Sequence, residues 1–172
     1  SYGLSCAMLK WLWDHHNQPE AASILQQYKD NGTGAGYHTQ NVVIDFDAEH
    51  IIHYPLATDF GGGEAVNVAR VRTALSFSKA TLHDSLLETA LQDPEHARYV
   101  RQLTLLPDPR VLVQIGNHVG KPAHDWFPWD GQNGATCGEK RKGWLGCGNN
   151  YFSAYAYYNL GSRYAARGVR AP

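Results

Sequence analysis

Two apolar segments separated by two residues constrain the fold of this chain most strongly. Residues 38–47 alternate, with Val42, Ile44 and Phe46 on one face, which is typical of a half-buried strand, and the apolar segment at residues 50–56 is predicted to pair with them as a second strand. With a tight turn at residues 48–49, the two strands pair in antiparallel fashion and paired residue numbers add up to 97. In that register His38 faces Asp59, with their Cβ atoms ~5 Å apart. The sequence therefore predicts a hairpin that brings a histidine next to a carboxylate.

Helical patterns occupy much of the remaining chain. Leu9, Leu12 and Trp13 fall on one stripe at helical spacing, and Asp93 followed by proline is typical of a helix start. Helices are predicted over residues 6–16, 19–29, 64–79, 82–92, from 93 onwards and from 151 onwards. A short strand is predicted over residues 111–116 and a long loop over residues 117–150. We expect an α+β fold of one domain, residues 1–172, with N-terminal helices, a small antiparallel sheet, a helical middle and a C-terminal helix.

Charge and hydropathy limit the partners of the chain. It has 15 basic and 16 acidic residues, which argues against a nucleic-acid binder that relies on bulk charge. No stretch approaches the ~20 apolar residues of a membrane helix, so we expect no membrane span. The abrupt start at SYGLSC is consistent with a mature or excised domain.

Three cysteines leave at least one thiol without a partner within the chain. Cys137 and Cys147 lie among glycines that allow the chain to turn back, so we expect a disulfide between them. Such a bond requires an oxidising compartment, and a secreted or periplasmic location is expected. Cys6 is then free. Two alternatives remain open for it: a residue of the core, or a disulfide with one of the other two cysteines.

Cys6 is the main candidate nucleophile because it lies at the predicted start of the first helix. The helix dipole and unpaired backbone N–H groups favour a thiolate there, and the Cys6 N–H would help to bind an oxyanion. His38 would act as the base and Asp59 would orient its ring. Asp45 and Asp47 are rival acids, but alternation places them on the face opposite to His38.

The order Cys6, His38, Asp59 resembles that of papain-like and transglutaminase-like cysteine hydrolases, in which a cysteine heads a helix and histidine and acid follow on strands. The resemblance covers about the first 60 residues, and Ala7 and Met8 stand where that family has an aromatic residue beside the cysteine. It implies a thioester acyl-enzyme and hydrolysis, deamidation or acyl transfer at peptide or protein amides, peptidoglycan included, as in cell-wall amidases and effector toxins. No metal and no cofactor is expected, and the sequence does not identify an inhibitor or immunity protein.

A second group of polar residues follows the predicted strand at residues 111–116. His118, His124 and Asp125 are three candidate metal ligands within eight residues, although their spacing matches no zinc signature. A surface loop with ordinary histidines is the alternative interpretation. His118 and His124 are also fallback bases for Cys6.

An aromatic stretch supports an alternative function. Trp126, Trp129 and Trp144 would stack on sugar rings if they line a cleft, and would otherwise fill the core. The chain would then be a carbohydrate-active protein. This would be either a glycan-binding module or a glycoside hydrolase with paired carboxylates, for which the candidates are Glu49, Asp59 and Glu64.

Overall fold

Helices and strands are both present, which confirms the α+β class. A computed structural model describes residues 2–30, 42–45, 48–53, 73–76, 86–124, 140–142, 144–147 and 152–155. Within these ranges the helices are α1 (Tyr2–Asp14), α2 (Pro19–Asp30), α3 (Leu87–Ala90), α4 (Pro94–Thr104) and α5 (Arg110–His118). The strands are β1 (Val42–Asp45), β2 (His50–His53), β3 (Thr73–Ser76), β4 (Ala123–His124), β5 (Lys140–Lys142), β6 (Trp144–Cys147) and β7 (Phe152–Tyr155). None of the helices in these ranges is long and apolar enough to span a membrane.

The described strands form two sheets. The first has the order β3-β2-β1-β5 with antiparallel neighbours throughout. The second has the order β4-β7-β6, in which β7 runs parallel to β4 and antiparallel to β6. The predicted hairpin is therefore the centre of a larger antiparallel sheet.

The register of the β1–β2 hairpin differs from the prediction. Asp45 lies opposite His50, so paired residue numbers add up to 95, whereas the sequence predicted Asp47 opposite His50. The connection is thus four residues long. The Asp45 carboxylate accepts a hydrogen bond from the Ala48 N–H at 3.0 Å, and Glu49 adopts a positive φ of 51°. A side-chain bond of this kind stabilises a wider turn than the two-residue turn that was expected.

The prediction of an apolar strand at residues 111–116 is wrong, because these residues lie in helix α5. Its buried side chains follow a helical and not an alternating pattern: Val111, Leu112 and Ile115. The Asp108 carboxylate accepts a hydrogen bond from the Arg110 N–H at 3.0 Å and pairs with the Arg110 guanidinium at 2.6 Å. These contacts satisfy a backbone donor in the first turn and fix the start of the helix.

Two predicted helices are also wrong where the structure describes them. Residues 73–76, expected within a helix, form β3, and residues 152–155, expected in a C-terminal helix, form β7. Aromatic side chains favour strands, which explains the second case. The expected long loop at residues 117–150 includes strands β4, β5 and β6. The start of α4 is confirmed, since the Asp93 carboxylate caps it by accepting hydrogen bonds from the next helical N–H groups at 2.8 and 3.0 Å.

Helix α5 ends in a turn that joins it to α2. Gly120 has φ of +72°, and the Lys121 N–H bonds to the Gly116 carbonyl at 2.9 Å, which is a Schellman arrangement. A Cβ at Gly116 would lie 2.8 Å from the Lys121 carbonyl oxygen, so only glycine permits this close return. The buried Lys121 ammonium then donates to the Tyr28 carbonyl at 2.9 Å, which caps the C-terminal turn of α2.

One hydrophobic cluster joins the described helices to both sheets. It includes Cys6 and Leu9 of α1, Leu25 of α2, Val42 and Ile44 of β1, Ile51 of β2, Leu103 of α4, Leu112 of α5 and Phe152 of β7. Each fully buried aliphatic side chain contributes about 1.5–3 kcal/mol relative to an exposed one. The cluster fixes the position of α1, which carries Cys6 and whose C-terminal end contributes to a second candidate site.

Candidate functional site

Cys6 lies on α1 but not at its start. The helix begins at Tyr2, so Cys6 is the fifth helical residue and the predicted start at Cys6 is wrong. From the fifth position onwards a helical N–H donates to the carbonyl four residues earlier, and only the first four N–H groups lack such a partner. The Cys6 N–H is therefore committed to the helix in this conformation and does not serve as an oxyanion donor.

The Cys6 thiol is free and fully buried. It forms no disulfide, and 0% of the residue is exposed to solvent. Burial raises the pKa of the thiol well above its ordinary value, because the thiolate would lose its hydration. This direction is opposite to the lowered pKa that a helix start would produce. In this conformation Cys6 is a neutral member of the core cluster.

The two predicted partners of Cys6, His38 and Asp59, lie outside the described residues. The register from which their pairing followed does not hold at the β1–β2 pairs that the structure describes. The rival acid Asp47 also lies outside them, whereas Asp45 is buried and supports the hairpin turn. The catalytic roles of His38 and Asp59 stay predictions.

The fallback base His118 lies towards the other end of α1. Its ring contacts that of Trp13 at a centroid distance of 5.4 Å. Trp13 is seven residues beyond Cys6, which is roughly 10 Å along a helix axis. His124, the other fallback, is half-buried on β4. Among the described residues no group of three or more His, Cys, Asp or Glu residues could hold a metal ion, and Asp125 lies outside them.

The aromatic and disulfide predictions fall where side chains are not described. Trp126, Trp129 and Cys137 lie outside the described residues, as does the candidate acid Glu64. Trp144 and Cys147 belong to β6 through their backbone, and Cys147 pairs with Phe152 of β7. The glycan surface and the disulfide therefore stay predictions.

Three aromatic rings that the sequence analysis did not combine meet at the C-terminal end of α1. His16 stacks on Trp13 with ring centroids 4.6 Å apart, and His118 meets both rings edge-on. The centroids of the two imidazoles are 6.1 Å apart. We call these three residues, Trp13, His16 and His118, the histidine cluster. It joins the end of α1 to the end of α5.

Hydrogen bonds fix the imidazoles at this end of α1. The His16 Nδ1 lies 2.6 Å from the Trp13 carbonyl oxygen, and His15 makes the same contact with the Trp11 carbonyl at 2.8 Å. A carbonyl oxygen only accepts, so Nδ1 carries the proton in both rings. His15 also stacks on Trp11, at 4.3 Å. The sequence held a signal for this arrangement, since spacings of three and four place residues on one helical face.

His53 is the buried counterpart of these half-buried imidazoles. Its Nε2–H donates to the Gln102 carbonyl at 2.8 Å, which links β2 to α4. Two buried atoms at this contact, the His53 Nδ1 and the Gln102 side-chain oxygen, have no hydrogen-bond partner among the described residues. Burial lowers the pKa of His53, and the hydrogen bond to Gln102 opposes this shift. His53 therefore favours the neutral form.

Comparison with known proteins gives no match among protein-family models, curated proteins or solved structures. The resemblance to papain-like and transglutaminase-like hydrolases therefore depends on the order of three residues alone.

Proposed function

We propose that this chain is a cysteine hydrolase that acts on peptide or protein amides through a thioester intermediate. The observation that carries the proposal is that Cys6 is a free thiol in the cluster that α1 shares with β1. Strand β1 begins at Val42, four residues after His38. Helix, free thiol and antiparallel sheet thus follow in the order that the resemblance implies.

The proposed reaction uses three side chains. The Cys6 thiolate attacks the amide carbon and forms a C–S bond, and the C–N bond then breaks. The imidazolium of His38 gives its proton to the leaving amine, while Asp59 holds the ring in the required tautomer. His38, now neutral, takes a proton from water as the water attacks the thioester, and the C–S bond breaks to regenerate the Cys6 thiolate, which gives hydrolysis or deamidation. An amine in place of water gives acyl transfer.

Burial of Cys6 opposes this reaction in the conformation described here. A thiol with a raised pKa supplies no thiolate near neutral pH, and a fully buried sulfur is not accessible to a substrate. The proposal therefore requires a conformation in which the N-terminal part of α1 opens towards solvent. The rate at which Cys6 becomes accessible to an alkylating reagent would report this opening.

Labelling with iodoacetamide under native conditions tests the proposal. Mass spectrometry would follow alkylation of Cys6 near neutral pH in the wild type and in two variants, His38→Ala and His118→Ala. We expect labelling faster than global unfolding, slowed at least tenfold by His38→Ala and unchanged by His118→Ala. The Cys6→Ala variant is the control for alkylation of the other two cysteines, because only they can react in it. Labelling only at the rate of global unfolding, or equal rates in the two histidine variants, would make Cys6 a core residue and overturn the proposal.

The proposed secreted or periplasmic location depends on the Cys137–Cys147 disulfide, because such a bond persists only in an oxidising compartment. Peptide mapping without a reductant would detect the linked pair. Two reduced thiols in protein isolated with alkylating reagent present would contradict this location. It would also weaken peptidoglycan as the substrate, without affecting the proposed chemistry at Cys6.

A further inference from the structure

We infer that His16 and His118 bind one divalent transition-metal ion of the zinc, nickel and copper class between the ends of α1 and α5. This inference is independent of the proposed hydrolase, whose chemistry uses no metal. It places the ion at the solvent-facing end of the histidine cluster, with water completing its coordination.

His16 has the hydrogen bonding of a metal ligand. Imidazoles that bind metals almost always donate their other ring N–H to a carbonyl or carboxylate, which fixes the tautomer. The His16 Nδ1–H makes this bond with the Trp13 carbonyl at 2.6 Å. Its Nε2 therefore holds the lone pair in the neutral ring, and stacking on Trp13 holds the plane of that ring. The ligand is oriented before an ion arrives.

The separation of the two imidazoles fits a shared ion. Metal–nitrogen bonds of ~2.0–2.1 Å allow the centroids of two rings on one ion to be up to roughly 6.5 Å apart. The His16 and His118 centroids are 6.1 Å apart, and their planes differ by 64°. His118 is exposed, so a small rotation of its side chain costs little packing. Such a rotation would bring the two rings closer to a common ion.

The electrostatic setting also favours a cation. His16 lies just beyond the end of α1, and His118 is the last residue of α5. The carbonyl groups at a helix C-terminus carry a partial negative charge that stabilises a nearby positive charge. The last turn of α1 contains no basic residue. Lys10, one turn earlier, is paired with Asp14. Two helix ends thus present negative potential to one small volume.

The experiment is titration with Ni²⁺ alone, followed by isothermal calorimetry and by the shift in melting temperature. His118→Gln removes one ligand at an exposed position. His15→Gln is the matched control, because His15 repeats the carbonyl bond and the tryptophan stack of His16 but meets no second imidazole among the described residues. We expect His118→Gln to weaken Ni²⁺ binding at least tenfold and to abolish the rise in melting temperature, whereas His15→Gln changes affinity less than twofold.

Three results would overturn the inference. These are equal affinities in His118→Gln and His15→Gln, absence of a saturable Ni²⁺ site in the wild type, and a wild-type site that survives His118→Gln. His16→Gln provides a second check, and it should weaken binding as much as His118→Gln does. If His16→Gln alone abolished binding, the ion would be held without His118 and the shared site would be wrong.

Discussion

The two parts of helix α1 differ in their relation to water, and that difference decides what each can do. Cys6, in the second turn, is sealed in the core and its pKa is raised. His16, just past the last turn, lies beside the exposed His118 with its tautomer already fixed. Cysteine is the more reactive residue type of the two, yet burial suppresses the reactivity of Cys6. Environment therefore outweighs residue identity along this helix.

The largest expected effect concerns the buried face of α1. Leu9 is fully buried in the core cluster, and Leu9→Ala should lower the free energy of unfolding by about 2–5 kcal/mol, because it leaves a cavity. Urea denaturation of the purified variant measures this. Leu86→Ala makes the same chemical change at an exposed leucine and should cost less than about 1 kcal/mol. Similar losses in both variants would show that α1 is not packed as described.

A smaller effect tests whether the Cys6 site is dry. Cys6→Ser buries a hydroxyl in an apolar cluster, and we expect it to be roughly 1–3 kcal/mol less stable than Cys6→Ala. A hydrogen bond from the serine to the carbonyl one helical turn earlier would set the lower end of that range. Chemical denaturation of both variants provides the comparison. Equal stabilities would mean that water reaches position 6, which would favour the proposed hydrolase.

Stability should also depend on pH through His53. Burial lowers the pKa of this histidine in the folded state, so the unfolded chain binds more protons in the window between the folded value and the unfolded value of ~6.5. The free energy of unfolding must then fall as the pH falls below about 6.5. One such group contributes a slope of up to about 1.4 kcal/mol per pH unit.

The matched variants for the pH experiment are His53→Gln and His15→Gln. Denaturation at several pH values between 5 and 8 should show a flatter pH dependence for His53→Gln than for the wild type. His15→Gln makes the same substitution at a half-buried ring that does not link β2 to α4, and it is the matched control. An unchanged slope in His53→Gln would show that this imidazole is not neutral and buried in the folded protein.

The sequence predicted the elements whose signals are local. Asp93 and Pro94 marked the start of α4, Pro19 marked the start of α2, alternation indicated β1, and the apolar segment after a short turn indicated β2. It failed where tertiary context decides. VLVQIG is apolar enough for a strand or a buried helix, and the contacts of Asp108 with Arg110 support the helical outcome. Turn length is similarly weakly encoded, so the register of the hairpin was two residues off.

The sites were harder to predict than the fold class. The stripe of Leu9, Leu12 and Trp13 predicts a helix but does not mark its first residue, and α1 begins four residues before Cys6. Burial of a cysteine follows from packing with distant strands, which a single sequence does not reveal. His118 was a candidate ligand in the sequence, but its ring contact with His16, which is 102 residues earlier in the chain, was not predicted. Local spacing cannot identify a contact of that range.

The smallest expected effect is at the exposed end of α1. His118→Gln removes an exposed ring whose contacts in the described region are edge-on, so the free energy of unfolding without metal should change by less than about 0.5 kcal/mol. Urea denaturation in the presence of a chelator measures this change. A loss above about 1 kcal/mol would mean that the histidine cluster is a packing element that holds α1 to α5. A near-neutral result would mean that the contacts of His118 contribute little to stability, and that is the outcome expected if this ring is placed to bind an ion.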